Sequence, residues 1–308
     1  MKMPIKMFDH HIHMTSRTTD DYQAMADAGI VAIIEPAFWV GQPRTHVGAF
    51  EDYFLSLVGW ERFRSKQFGI HHFCTIGLNP KEANNPDVND GVMELLPIYL
   101  EKESCVGVGE IGFDDQTAVE TKIFEAQMQL AIDFDLPVLI HTPHRDKKAG
   151  TERTIDLVKA SGIEPGRVLI DHNNEETLAA TLDSGCWAGH SIYPNTKMDE
   201  GRMAALVQQF GTERITINSA ADWGVSDPLK VPKTVDAMRE AGISEADIET
   251  VVWHNPIAFF GQSGRLDLGP DGERPRVDQT ELWEGNSVLR GQEAKIEAAV
   301  EDAAGPAE

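Results

Sequence analysis

Eight short apolar runs, each followed by a stretch of helical character, constrain this chain more than any other feature. They are Ile5–Phe8, Ile30–Ile34, His72–Ile76, Cys105–Val108, Pro137–Ile140, Val168–Ile170, Cys186–Ala188 and Arg214–Ile217. Several are apolar without interruption, as in Ile30-Val31-Ala32-Ile33-Ile34 and Pro137-Val138-Leu139-Ile140. A strand with one wet face alternates apolar and polar residues, whereas a strand covered on both faces need not. The runs therefore predict buried parallel strands.

The segments between them carry helical spacing. Glu120–Phe134 sets Ile123, Phe124, Met128, Ala131 and Ile132 three and four residues apart. Thr19–Ala28, Thr151–Ser161, Asn174–Ser184 and Met203–Phe210 stop at Gly29, Gly162, Gly185 and Gly211. A glycine there ends a helix because it takes the left-handed conformation at little cost. Strand and helix alternating in this way predict a (β/α)8 TIM-type barrel, with an open doubly wound sheet as the alternative. A chain of 308 residues, 41% hydrophobic, is long enough for such a barrel as one unit.

We assign the barrel to residues 1–261. After Gly261 the composition changes. Gln262–Arg276 is rich in Gly, Pro and charge and reads as loop. Glu281-Leu282-Trp283 and Val288-Leu289 offer apolar anchors for a small capping element. Glu293–Glu308 is acidic and Ala-rich, so residues 262–308 read as a partly ordered C-terminal extension with an acidic tail.

Charge and cysteine usage exclude several classes. There are 50 acidic and 27 basic residues, a formal charge of −23. Such a chain repels polyanions at long range, so no extended nucleic-acid-binding surface is expected. Cys74, Cys105 and Cys186 are isolated within apolar runs and read as buried thiols in a reducing compartment. Met1–His13 lacks the apolar core of a signal peptide, and no run reaches the ~18 apolar residues of a membrane span. A cytoplasmic protein without membrane association is expected; a homo-oligomer is left open.

A parallel barrel gathers the C-terminal ends of its strands at one mouth, so residues far apart in sequence meet there. Six candidate metal ligands occupy such ends: His11, His13, Glu110, His141, His172 and Asp222. His11 and His13 share one face of an extended chain and can chelate one cation. Asp9 has the same parity and is a candidate outer partner that fixes a ligand tautomer. Glu110 stands among glycines in Gly107-Val108-Gly109-Glu110-Ile111-Gly112 and can bridge two cations. Leu139-Ile140-His141 and Ile170-Asp171-His172 each put an imidazole straight after an apolar run. Arg145, in a basic cluster with His144, Lys147, Lys148 and Arg153, is a candidate substrate contact, as are His190, Lys197 and Trp223.

At these residues the chain resembles the TatD-like branch of the amidohydrolase superfamily. The family's Asp-x-His-x-His corresponds to Asp9, His11 and His13, and its Gly-Glu-Ile-Gly-x-Asp to Gly109–Asp114. Its Pro-Val-x-x-His matches Pro137–His141, and its next histidine matches His172. Its closing Asn-Pro region resembles Asn255–Gly261. The chain departs from the pattern at Gly77-Leu78-Asn79-Pro80, where the family has Gly-x-His-Pro. It departs again at Asn218-Ser219-Ala220, where the family has Glu-Thr-Asp; Asp222 follows two positions later.

The resemblance implies a barrel hydrolase with two divalent metals. His11, His13 and Asp222 would bind one, His141 and His172 the other, with Glu110 bridging. Zn²⁺ or Mn²⁺ suits these donors best, with Mg²⁺ and Ni²⁺ as alternatives. Asp222 would serve as general base toward a metal-activated hydroxide, with Glu110 as the second catalytic carboxylate. The substrate expected is a small molecule or short phosphodiester, of deoxyribonuclease type or otherwise. A small ester, lactone or amide is the alternative. A single-metal decarboxylase-type barrel and a non-catalytic metal-binding protein are the rivals.

Overall fold

The computed structural model describes residues 5–277. Eight parallel strands run in chain order around one sheet, from β1 to β8. They alternate with helices: β1 (Met7–Asp9), α1 (Thr19–Asp27), β2 (Ile30–Pro36), α2 (Val47–Leu55), α3 (Glu61–Lys66), β3 (His71–Ile76), α4 (Pro80–Ala83), α5 (Pro86–Leu100) and β4 (Cys105–Gly112). There follow α6 (Ala118–Asp133), β5 (Val138–His141), α7 (Lys147–Ser161), β6 (Val168–Ile170), α8 (Leu178–Asp183), β7 (Trp187–Ser191), α9 (Glu200–Phe210) and β8 (Ile215–Asn218). Helices α10 (Lys230–Glu240), α11 (Glu245–Glu249) and α12 (Asn255–Phe260) complete the order. This is a TIM-type barrel. The ring closes just past the ends of β8 and β1. There Ala220 N–H donates to the His11 carbonyl at 2.8 Å, and His13 N–H to the Ala221 carbonyl at 2.8 Å.

Successive strand residues point to opposite faces, so each strand feeds two cores. Ile33, Cys74 and Val138 pack outward under the helices. Phe8, Ala32, Ile34, Phe73, Val106, Leu139 and Leu169 fill the interior together with Trp253, Phe259 and Phe260. The last three residues plug the base. Arg265 donates to the carbonyls of Leu100 and Cys105, and Arg274 to those of Ala26 and Gly69. These carbonyls precede or begin β2, β3 and β4, so the segment after α12 covers the N-terminal end of the barrel. The C-terminal mouth is left to the site.

The apolar runs match the strands, with shifts that bear on function. β4 continues to Gly112, so Glu110 stands within the strand, not after it. In α6, Ile123, Phe124, Met128 and Ala131 are buried, but Ile132 is 39% exposed. It follows Ala131 by one residue, a turn of about 100° away from the packed stripe. Helix α7 starts at Lys147, earlier than Thr151. Helix α8 is confined to Leu178–Asp183, because Asn174 and Thr177 hold the preceding residues in a hydrogen-bonded turn. Residues 262–277 contain only 3-10 turns, at Gly261–Ser263 and Pro270–Gly272. The expected capping element at 281–289 and the acidic tail lie outside the described residues. Among the described residues, no helix is long and apolar enough to cross a membrane.

Candidate metal centre

Strand β1 ends at Asp9, and the chain then folds over the mouth. There His11 Nε2 and His13 Nε2 lie 3.2 Å apart. From β5 and the end of β6, His141 Nδ1 and His172 Nε2 lie 3.1 Å apart. Glu110 joins the two pairs. Its Oε1 is 2.9 Å from His141 Nδ1, 3.3 Å from His172 Nε2 and 3.6 Å from His11 Nε2. Donors about 2.0–2.1 Å from a tetrahedral ion stand roughly 3.3 Å from one another. In the clusters His11/His13/Glu110 and Glu110/His141/His172 the ligand atoms all lie within 4.8 Å of one another, close to this spacing, and the two clusters share the glutamate. All five residues are buried. Nitrogen lone pairs and a carboxylate crowded together away from water are costly unless a cation lies among them. The residues present therefore fit divalent metal.

Three of the five donors, His11, His172 and Glu110, are held from behind. Asp171 Oδ2 accepts from His11 Nδ1 at 2.5 Å, which fixes the proton there and leaves Nε2 for the centre. Asn218 Nδ2 donates to both oxygens of Asp171, at 3.0 and 3.1 Å. The hydroxyl of Ser191 accepts from His172 Nδ1 at 2.7 Å and donates to Asn218 Oδ1 at 2.7 Å. Asn79 Nδ2 donates to Glu110 Oε2 at 2.9 Å, which leaves Oε1 for the shared position. The other end of the same side chain caps α4 by accepting from Lys81 N–H. Asp171, Asn218, Ser191 and Asn79 were not singled out from sequence. Asn79 and Asn218 did carry a signal, as the departures from Gly-x-His-Pro and Glu-Thr-Asp.

The electrostatics suit ligation at His13, His172 and Glu110, whereas at His11 burial is outweighed by Glu110 and Asp171, which raise it above the usual imidazole range. Burial, followed by the charge of His11, holds His13 well below the usual imidazole range. Burial and then Lys197 do the same to His172. Both rings are neutral, the form that binds metal. Burial works to raise Glu110, but His141 and His11 outweigh it and hold the carboxyl well below its ordinary value.

The remaining sequence candidates divide. Lys197 and Asp222 line the same narrow cavity as the ligands. Asp222 stands outside the groups of ligand atoms within 4.8 Å of one another, and Asp171 is in that range instead. The Asp222 Oδ1 accepts from Tyr193 OH and from Gly224 N–H, each at 2.8 Å. The extra residues after Asn218 put Ala220 into the cavity wall and carry Asp222 to the rim. Asp9 does not back a ligand ring. Its Oδ1 accepts from the backbone N–H of Ser219 and His11, and burial pushes its pKa up to about 6. Parity stopped being a guide where the strand stopped. His190 shares the parity of the outward-packed Ala188, so it is buried behind the sheet beside the Thr216 carbonyl and does not reach the mouth. Arg145 is exposed and pairs with Asp115 at 2.8 Å, away from the cavity. Trp223 is 54% exposed on the rim.

A parallel barrel with clustered imidazole and carboxylate donors at its C-terminal mouth is the architecture of a metal-dependent hydrolase. The family described as TatD related DNase matches residues 8–261, and the chain belongs to that family. It is 26% identical over 257 residues to an uncharacterized metal-dependent hydrolase of Methanocaldococcus jannaschii, covering 82% of this chain and 99% of that one. Among solved structures, the TatD-like protein of Archaeoglobus fulgidus superposes with a TM-score of 0.69 at 26% identity, over 82% of this chain and 99% of that one. The phosphotriesterase homology protein of Escherichia coli, complexed with phosphate in its active site, superposes with a TM-score of 0.61 at 16% identity. It covers 84% of this chain and 99% of its own, and its likeness extends to the fold alone.

Proposed function

We propose that this protein hydrolyses a phosphoester at a pair of divalent metals. The observation that carries the reading is Glu110, whose Oε1 is common to two imidazole pairs. A carboxylate so placed suits two cations better than one. His11 and His13 would hold the first metal, and His141 and His172 the second. Imidazole and carboxylate donors favour Zn²⁺ or Mn²⁺. When bound, the metals would supply Lewis acidity, polarising the scissile group and making water acidic near neutral pH.

The chain's own residues do the rest. Asp171 and Ser191 keep the proton on the far nitrogen of His11 and His172, so the near nitrogen stays a donor. Asp222, at the rim of the same cavity with Oδ1 anchored by Tyr193, is the candidate to take the proton of the attacking water. A small or short phosphodiester is favoured over a long one because a charge of −23 repels polyanions.

Asp222→Asn tests the assignment, because Asp222 lies outside the ligand clusters. Turnover of a phosphodiester should fall by about 10²–10⁴-fold, the usual worth of a general base. Elemental analysis should still give about two metals per chain. Wild-type turnover would remove Asp222 from the reaction. One metal per wild-type chain would replace the paired site with a single-metal barrel. A panel that also holds a lactone, a carboxylic ester and an amide decides whether phosphorus is the reacting centre.

A further inference from the structure

The cavity above the ligands is small, about 70 Å³. Sites that enclose a drug-sized ligand run to roughly 300–1,000 Å³. There is room for ions, water and one small head group, so the body of a substrate must rest on the rim.

One side of the rim is a wall of aromatic rings leading out from a ligand. Phe38 stacks on His13, with centroids 3.8 Å apart and planes 17° apart. Trp39 meets Phe38 edge-on at 6.4 Å, and Trp223 meets Trp39 edge-on at 5.8 Å. Trp223 rests on the backbone of Gly41, where a Cβ would sit 2.7 Å from its ring. Gly41 also has φ +81°, so that loop accepts no side chain there without strain. The wall thus joins the loops after β2 and β8 and is fixed from behind. Its outer surface stays open, with Trp223 54% exposed and Val225 83% exposed.

The cavity is also lined by two lysines, Lys81 and Lys197. Lys81 is engaged with Asp114 at 3.4 Å and lies over the Trp39 ring at 4.9 Å. The Lys197 ammonium lies over the Tyr193 ring at 5.0 Å, and among the described residues no carboxylate comes within 4.0 Å of it. Glu110, Asp171 and Asp222 act on Lys197 only at longer range, so among the described residues its ammonium has no carboxylate in direct contact and is suited to an incoming anion.

We propose that this mouth is a subsite for a small anion bearing one flat apolar group. The acidic head enters the cavity beside Lys197, and the flat group lies on the Trp39–Trp223 wall. This rests on the hydrolase reading and names its substrate class. A long polyanion is disfavoured, because most of its charges would stay outside, facing an acidic surface.

Calorimetric titration of the metal-loaded protein with phenylphosphonate and with methylphosphonate tests it. Phenylphosphonate should bind about tenfold more tightly, the order that stacking on one ring contributes. Trp223→Ala and Trp39→Ala should erase most of that preference and leave methylphosphonate within about twofold. Lys197→Met should weaken both ligands about tenfold at an unchanged ratio, and Lys197→Arg should restore them. Equal affinity for the two phosphonates overturns the inference, as does a ratio that survives both tryptophan changes. So does an oligonucleotide that competes more tightly than phenylphosphonate. Turnover is measured separately. Selective binding without hydrolysis of any ester would sink the hydrolase reading and keep the subsite. Hydrolysis without selectivity would do the reverse.

Discussion

Asp171 shows how much of this site depends on a residue that performs no ligation of its own in the proposed arrangement. Its carboxylate reaches His11 across 160 positions of sequence. Burial would raise its pKa, but His172 and His11 hold it well below the ordinary carboxylate value, so it stays charged and accepting. Asp171→Asn keeps the size and removes the charge. Metal affinity should fall by about 10–100-fold, the usual cost of losing such a partner, as read by competition with a chelator. Unchanged affinity would reduce Asp171 to a packing residue. The sequence displayed this aspartate beside His172 yet gave no sign of its partner. The five candidate ligands were named because they follow apolar runs; Asp171 follows one too, but its partner His11 lies 160 positions away, beyond the reach of any local pattern.

Strand β4 carries Glu110, and its glycines answer to the close approach of β5. A Cβ on Gly112 would sit 2.2 Å from the His141 carbonyl oxygen, and its φ of +130° suits no L side chain. β4 and β5 can approach closely enough to juxtapose Glu110 and His141 only without that atom. Gly112→Ala should destabilise the fold by roughly 3 kcal/mol or more, from backbone strain plus overpacking. Urea denaturation should show a lower midpoint at an unchanged m-value. An unshifted midpoint would mean that the end of β4 relaxes freely. The strands were legible because burial on both faces forces continuous apolar runs. The helices were less so. Gly48, Gly91 and Pro97 interrupt the pattern within α2 and α5, and Gly59 lies in the turn Ser56–Trp60 that joins α2 to α3; packing against the barrel outweighs their low propensity.

The proposed ligands lie on β4 and β5 and just past the ends of β1 and β6, so occupancy should tighten the barrel as a unit. A ligand present at about 1,000 times its Kd adds about 4 kcal/mol to the stability of the folded state. Chelation should therefore lower Tm by roughly 5–10 °C, with recovery on adding Mn²⁺ or Zn²⁺. A Tm indifferent to chelator would argue that the imidazoles hold no metal in solution.

Local pattern named the candidate donors and the strand ends they follow, because periodicity and composition act over a few residues. Closure of the ring decided the rest. It set Asp171 behind His11 in place of Asp9 and lifted Asp222 to the rim on the extra residues after β8. It turned His190 behind the sheet and left Arg145 in solvent. Alternation fixes a side chain's face only while a strand lasts, and what it meets beyond that depends on which distant backbone lies alongside.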